Sequence, residues 1–196
     1  MSRRQALYFT APRRTEIREE HLPEPGPGQV QLETLVSAIS PGSELLVYAG
    51  AAPQNLSADR SIASLQGDLA FPLKYGYSSV GRISRIGPDI DPARLGERVF
   101  SFQPHQTASI ADLEHVIPVP DELGSSRAAL YPLVETAVTL VWDARPLLGE
   151  DTALIGQGPV GLVTAALLAE FPLGCLRALE PSKARRDLSL FMGTQA

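Results

Sequence analysis

A single cysteine, three histidines and one tryptophan among 196 residues exclude several kinds of chemistry at the outset. One thiol, Cys175, cannot form a disulfide within the chain, so a reducing, cytosolic setting is the expected one. It cannot supply the four thiolates of a structural zinc lobe either. No apolar run is long enough to read as a membrane span, because the most apolar stretch, residues 152–171, is broken by Gly156, Gly158, Pro159 and Gly161. The N-terminal Met-Ser-Arg-Arg-Gln has no apolar signal core. Basic runs are missing too. The pairs Arg3-Arg4, Arg13-Arg14 and Arg185-Arg186 are short and scattered, and the net charge is -5, which argues against nucleic acid or anionic lipid as a partner. A soluble, cytoplasmic protein acting on a small molecule is the expectation.

What is present is ordinary globular composition, with 44% hydrophobic and 20% charged residues. Up to about Pro120 the chain reads as short strands between proline and glycine turns. Expected strands are residues 5–10, 15–21, 29–37, 80–86, 97–102 and 113–119. Pro23-Glu-Pro-Gly-Pro-Gly28 reads as a rigid turn into a strand. Residues 42–50 read as one or two helical turns ended by Gly50, and residues 51–69 as a surface loop. At Gly124 the pattern changes. Ser125 or Ser126 suits an N-cap, and a long helix is expected over 128–144. Strand, helix, strand and helix then follow at 152–155, 160–170, 175–180 and 182–191, the signature of an α/β unit with a parallel sheet. Domains of 1–123 and 124–196 result, the first a small β-barrel.

The second of these holds the clearest motif. Gly156-Gln-Gly158-Pro159-Val160-Gly161 matches G-x-G-x-x-G, after an apolar strand and at the start of an apolar helix. Gly156 suits the tight turn, Gly158 lets backbone approach a pyrophosphate, and Gly161 allows close packing of helix on strand. Pro159 fits the first helical turn, where an N–H has no intrahelical partner. The free N–H groups of that turn, Val160 among them, face a phosphate. Glu180 lies 19 residues beyond Gly161, where an acid accepts the ribose hydroxyls of NAD and repels the 2′-phosphate of NADP. Lys183, Arg185 and Arg186 follow closely and weaken that preference, with Arg185 placed to meet the cofactor.

Over residues 23–193 the chain resembles the medium-chain dehydrogenase/reductase superfamily. The resemblance is carried by Pro25-Gly-Pro-Gly28, Ile39-Ser-Pro-Gly-Ser-Glu44, Gly76-Tyr-Ser-Ser-Val-Gly81, Gly96-Glu-Arg-Val99 and the Gly156 loop, in the family's order. It implies a GroES-like β-barrel domain followed by a Rossmann domain, with hydride chemistry in the cleft between them. Zinc members carry cysteine where this chain has Ser40 or Pro41, and Gly-His-Glu where it has Gly76-Tyr77-Ser78. Catalytic zinc takes three protein ligands, so no metal is expected. The zinc-free branch that contains bacteriochlorophyllide dehydrogenases is similar around Phe102-Gln-Pro-His105.

Without a metal, the proton that accompanies hydride transfer needs a side chain. The candidates are Ser43, at the position of the family's proton-relaying hydroxyl, together with Tyr77, His105 and Glu135. His21 and His115 read as surface strand residues. A dinucleotide domain has six strands in two halves, and only the first two are legible before Ala196. The sequence therefore reads as a truncated cofactor domain, with no family-type dimer because the dimerising strand is not among its residues. An oxidoreductase, a non-catalytic remnant or binding module, and a quinone or enoyl reductase all remain open.

Overall fold

The computed structural model describes residues 2–53, 62 and 67–195. Two compact units divide the chain, Met1–Leu130 and Tyr131–Ala196. The first opens with an antiparallel hairpin, β1 (Ser2–Ala11) and β2 (Arg14–Leu22). Pro12 and Arg13 form its turn. Proline fixes one φ, and Arg13 takes the left-handed conformation at φ 61°.

Then come β3 (Gln29–Ser37), α1 (Ser43–Ala49), β4 (Ser79–Ile86), β5 (Arg98–Ser101), β6 (Ala108–Asp112), β7 (Val116–Pro118) and a short helix, α2 (Ser125–Ala128). The five strands form one antiparallel sheet in the order β6-β3-β4-β5-β7. Period-two alternation turns Val30 and Leu32 inward, where they pack with Ile83, Ile90, Val99, Ala111 and Val116. A second cluster joins Val80, Phe100 and Val119 to Ala128 and Ala129. That contact is why α2 belongs to the β unit, and why the units divide somewhat later than the change in sequence pattern at residue 124.

Two expectations need correction here. Residues 113–119 are not one strand: Leu113–His115 form a 3-10 turn, and only Val116–Pro118 pair with β5. The Leu113 N–H donates to the Gly28 carbonyl at 2.8 Å, which draws this residue out of the ladder. The other is β6, whose short Ala-Ser-Ile-Ala-Asp run has no apolar alternation to announce it. The expected loop at 51–69 lies largely outside the described residues.

One ionic cluster fastens the hairpin. The Glu20 carboxylate accepts from the Tyr8 hydroxyl, from Arg4 Nε at 2.7 Å and from Lys74 Nζ at 3.0 Å. Burial opposes ionisation most strongly, but the bonds from Tyr8, Lys74 and Arg4 together outweigh it and lower the Glu20 pKa from 4.5 to about 2. The Tyr8 hydroxyl is pushed up, first by its bond to Glu20 and then by burial.

The second unit begins with α3 (Tyr131–Ala144), followed by β8 (Asp151–Ile155), α4 (Pro159–Leu168), β9 (Cys175–Leu179) and α5 (Lys183–Phe191). The single long helix expected over 128–144 is two. Pro132 lacks an N–H and is accepted only in a first turn, so α3 starts beside it. β8 and β9 pair in parallel, with Asp151 opposite Cys175 and Ile155 opposite Leu179. Val141, Leu168 and Leu176 form the core between helices and sheet.

The sequence reading stops at two strands, and the structure adds the first residue of a third. Gln195 bridges Arg177 in parallel, with Gln195 N–H to Leu176 O at 2.7 Å and Ala178 N–H to Gln195 O at 2.9 Å. The order β8-β9-Gln195 is the 1-2-3 sequence of a doubly wound sheet. No helix among the described residues is long and apolar enough to cross a membrane.

A carboxyl whose folded pKa is depressed contributes stability above its unfolded value and loses it as pH falls through the folded one. Glu20 therefore contributes fully above about pH 4.5 and nothing below about pH 2. Glu20→Gln is expected to lower unfolding free energy by roughly 1–2 kcal/mol at pH 7, allowing for partial exposure. Urea unfolding at pH 7 and pH 3 measures this, and the difference between the two proteins should narrow at the lower pH.

Candidate functional site

The chemistry-bearing side chains of the β unit gather where three segments meet: the end of β3, the turn into α1, and residues 75–78 ahead of β4. Ser43 is the first residue of α1 and half-buried. Its Oγ lies 2.9 Å from the Tyr77 hydroxyl and donates to Ser40 Oγ at 3.3 Å. Since Ser43 gives its proton to Ser40, Tyr77 is the donor to Ser43. Tyr77–Ser43–Ser40 is thus a directed line of hydroxyls. Tyr75 packs edge-on against Tyr77, with ring centroids 6.3 Å apart.

Behind this line is a buried pair that the sequence reading did not recognise. Glu44 is only 2% exposed. Its Oε1 accepts from the Ser40 N–H at 2.9 Å, and Oε2 lies 2.7 Å from His105 Nε2. The other ring nitrogen of His105, Nδ1, is 2.9 Å from Ser37 Oγ at the end of β3. His105, one of the acid/base candidates and a residue type more often hydrogen-bonded than catalytic, is buried between these partners. Glu44 stood in the quoted motif but carried no role. The only sequence sign was an acid directly after Ser43 in a turn otherwise built from small residues.

Gly76 is required by the same contacts. It sits at φ +129°, and a Cβ there would lie 2.9 Å from His105 Nε2 and Cδ2. Ser78 donates to the Ala129 carbonyl, and its own carbonyl accepts from Ala38 N–H at 3.1 Å. The hydroxyls, phenol and proline at residues 40, 41 and 77 do not form a donor set for zinc, which prefers nitrogen and sulfur. Among the described residues no three His, Cys, Asp or Glu side chains gather into a metal-binding group.

The remaining candidate, Glu135, is exposed on α3 in the second unit. His21 is exposed on β2, and His115 lies in a turn, 3.6 Å from Asp112 and 3.7 Å from Glu114.

In the second unit the glycine motif joins β8 to α4 as the spacing predicts. Gly156 turns at φ +88°, Gly158 is the N-cap, and Pro159 occupies the first turn. A Cβ on Gly161 would overlap the Gly156 carbonyl oxygen, whereas one on Gly158 would meet nothing within 4 Å. Gly161 thus serves packing and Gly158 leaves open space. No side chain caps the helix, which leaves the N–H groups of its first turn, at Val160 and Gly161, without a side-chain acceptor. A phosphate fits such a cradle.

Glu180 already has work within the chain. Oε2 accepts from the Gln157 N–H at 2.8 Å, and Oε1 from Ser182 N–H at 2.9 Å. These two bonds, the first the larger, depress its pKa, with Arg185 and Arg186 adding to the effect. Arg186 donates to the Glu180 and Pro181 carbonyls at 2.5 and 2.8 Å, while Arg185 is exposed.

No family model matches the chain. Among curated proteins it is similar to (R,R)-butanediol dehydrogenase of Bacillus subtilis strain 168, 26% identical over 91% of this chain and 59% of that one. Among solved structures it superposes on an alcohol dehydrogenase of Escherichia coli CFT073 holding NADH, with TM-score 0.80, 18% identity, all of this chain and 62% of that one. A protein assigned as a zinc-binding dehydrogenase from Sinorhizobium meliloti 1021, solved with NADP, gives TM-score 0.80 at 15% identity, covering 100% and 61%. The chain spans about three fifths of the length of these relatives. These relatives and structural neighbours are medium-chain, alcohol dehydrogenase-like oxidoreductases, and the fold is theirs: a GroES-like β domain followed by part of a Rossmann domain.

The glycines separate packing from ligand contact. Gly161→Ala should cost roughly 1–3 kcal/mol, as overpacking does. Gly158→Ala should stay within about 1 kcal/mol of the parent. Denaturant midpoints of the two variants check the contrast.

Proposed function

We propose that this chain supplies the proton-handling residues and the nucleotide loop of a zinc-independent, NAD-dependent oxidoreductase acting on a small alcohol or its carbonyl product. The observation that carries the reading is the 2.9 Å contact between Tyr77 and Ser43. These residues stand where zinc members of the resembled family carry a metal ligand and a relaying serine. Here a phenol and two aligned hydroxyls take that place.

A nicotinamide dinucleotide, when bound, accepts or supplies hydride. The protein's share is the proton. An alcohol hydroxyl donates to the Tyr77 oxygen as Tyr77 passes its own proton to Ser43, Ser43 passes its own to Ser40, and the half-buried Ser40 releases its own to water. The reverse order protonates a carbonyl. Positioned proton transfer of this kind is worth about 10²–10⁴ in rate.

For the cofactor, the Val160 and Gly161 N–H groups would hold the pyrophosphate, and Gly158 would let it approach. Glu180 stays ionised over the neutral range because its oxygens hold two backbone N–H groups. Each oxygen keeps a further lone pair for a ribose hydroxyl, and the charge repels a 2′-phosphate. That supports NAD over NADP, with Arg185 the residue nearest to opposing it.

Calorimetry with NADH and NADPH is the direct test, with Gly158→Asp as control. Saturable binding, tighter for NADH and abolished by Gly158→Asp, is the expected outcome. Absence of binding by a folded chain would favour the non-catalytic reading. Where turnover of an alcohol or aldehyde is measured, Tyr77→Phe should reduce kcat by about 10²-fold or more and leave the NADH dissociation constant unchanged.

A further inference from the structure

We infer that Glu44 and His105 are positioning residues that fix the Tyr77–Ser43 hydroxyl pair through a buried acid–imidazole contact. The inference rests on the reading of Tyr77 and Ser43 as the proton relay.

Four contacts carry it. Glu44 Oε1 closes the turn that presents Ser40 and Ser43, through the Ser40 N–H at 2.9 Å. Glu44 Oε2 reaches His105 Nε2 at 2.7 Å, across 61 residues of sequence. The imidazole face lies so close to Gly76 that no Cβ fits between them, and Gly76 directly precedes Tyr77. Ser37 holds Nδ1 at 2.9 Å, and the His105 carbonyl accepts from the Leu7 N–H at 2.9 Å. One ring therefore touches the segments that deliver Ser43 and Tyr77 and is tied to β3, while the backbone of the same residue is tied to β1.

The chemistry of the pair explains its use. A carboxyl group this deeply buried is costly unless it is hydrogen-bonded, and here both oxygens have a partner, the Ser40 N–H and the His105 ring. The bonds are directional, so they fix the rotation of the turn as well as its distance from Gly76. An apolar contact of equal area would leave both free to slide. Neither side chain reaches Tyr77 or Ser43 itself, so the role is one of placement.

The test is nuclear magnetic resonance of the whole chain, labelled with ¹³Cζ-tyrosine and ¹⁵N, with the Tyr77 line assigned by Tyr77→Phe. In His105→Ala and Glu44→Ala the Tyr77 line should shift and broaden while those of Tyr8 and Tyr48 stay in place. Exchange of the Ser40 amide should quicken by about tenfold or more in Glu44→Ala, as expected for a lost hydrogen bond to a charged acceptor. Glu44→Gln keeps an acceptor for that amide and should retain its protection. Added imidazole should fill the space left in His105→Ala and return the Tyr77 line toward its parent position, which a general loss of packing would not allow. If the alanine variants do not fold, Glu44→Gln and Ser37→Ala carry the test, since each disturbs one bond to the ring and should move the Tyr77 line. An unmoved Tyr77 line in folded variants overturns the assignment. None of these readouts needs turnover, so a chain that transfers no hydride would count against the proposed function and leave the placement of Tyr77 decided separately.

Discussion

A carboxyl group 2% exposed is costly without hydrogen-bond partners, and the β unit is arranged around the partners that Glu44 finds. One oxygen takes the backbone of its own turn, the other an imidazole from the segment between β5 and β6. That choice dictates others. The residue under the imidazole has to be glycine, and the strand end beside it has to offer a hydroxyl. The turn that carries Ser43 cannot move without moving the ring. Tyr77 and Ser43 meet at hydrogen-bond distance because the buried pair beneath them leaves their segments one arrangement.

Much of the fold was legible in the sequence, for reasons that can be named. The Gly156–Gly161 motif lies within one strand–turn–helix unit, so every contact that shapes it is local. The strands around Val30, Leu32 and Ile83 show in their alternation. Glu44–His105 is the opposite case. Neither residue has a local pattern, and the bond joins positions far apart in the chain. His105 was singled out as a histidine after a strand, but its burial follows from Gly76 and Ser37, which only the folded sheet brings together. The Glu20 cluster was hidden for the same reason, since Lys74 reaches it from 54 residues away. The short strand β6 is five residues of mostly small side chains with no large apolar alternation to mark it, and the Pro132 break was present in the sequence but outweighed by the long helical periodicity around it.

Glu180 shows how one residue can fit two descriptions. From its spacing it reads as a ribose acceptor. In the fold it is also the clasp of the glycine turn, since its oxygens hold the N–H groups of Gln157 and Ser182. Its charge is therefore favoured by backbone N–H groups of the chain itself, and the residue proposed for the ribose is also the one that shapes the loop.

The sheet of the second unit has a consequence for handling the protein. β8 pairs with β9 alone, and its other edge has no strand beside it among the described residues. Ile155 at its end is 83% exposed, Leu179 53% and Phe191 86%. A short, apolar edge with a single acid, Asp151, lacks the charges and prolines that usually keep such edges apart. Among the described residues β8 thus keeps free backbone donors and acceptors along one side, and a lysine placed at Ala153 would add charge there without touching the hydroxyl line or the glycine turn.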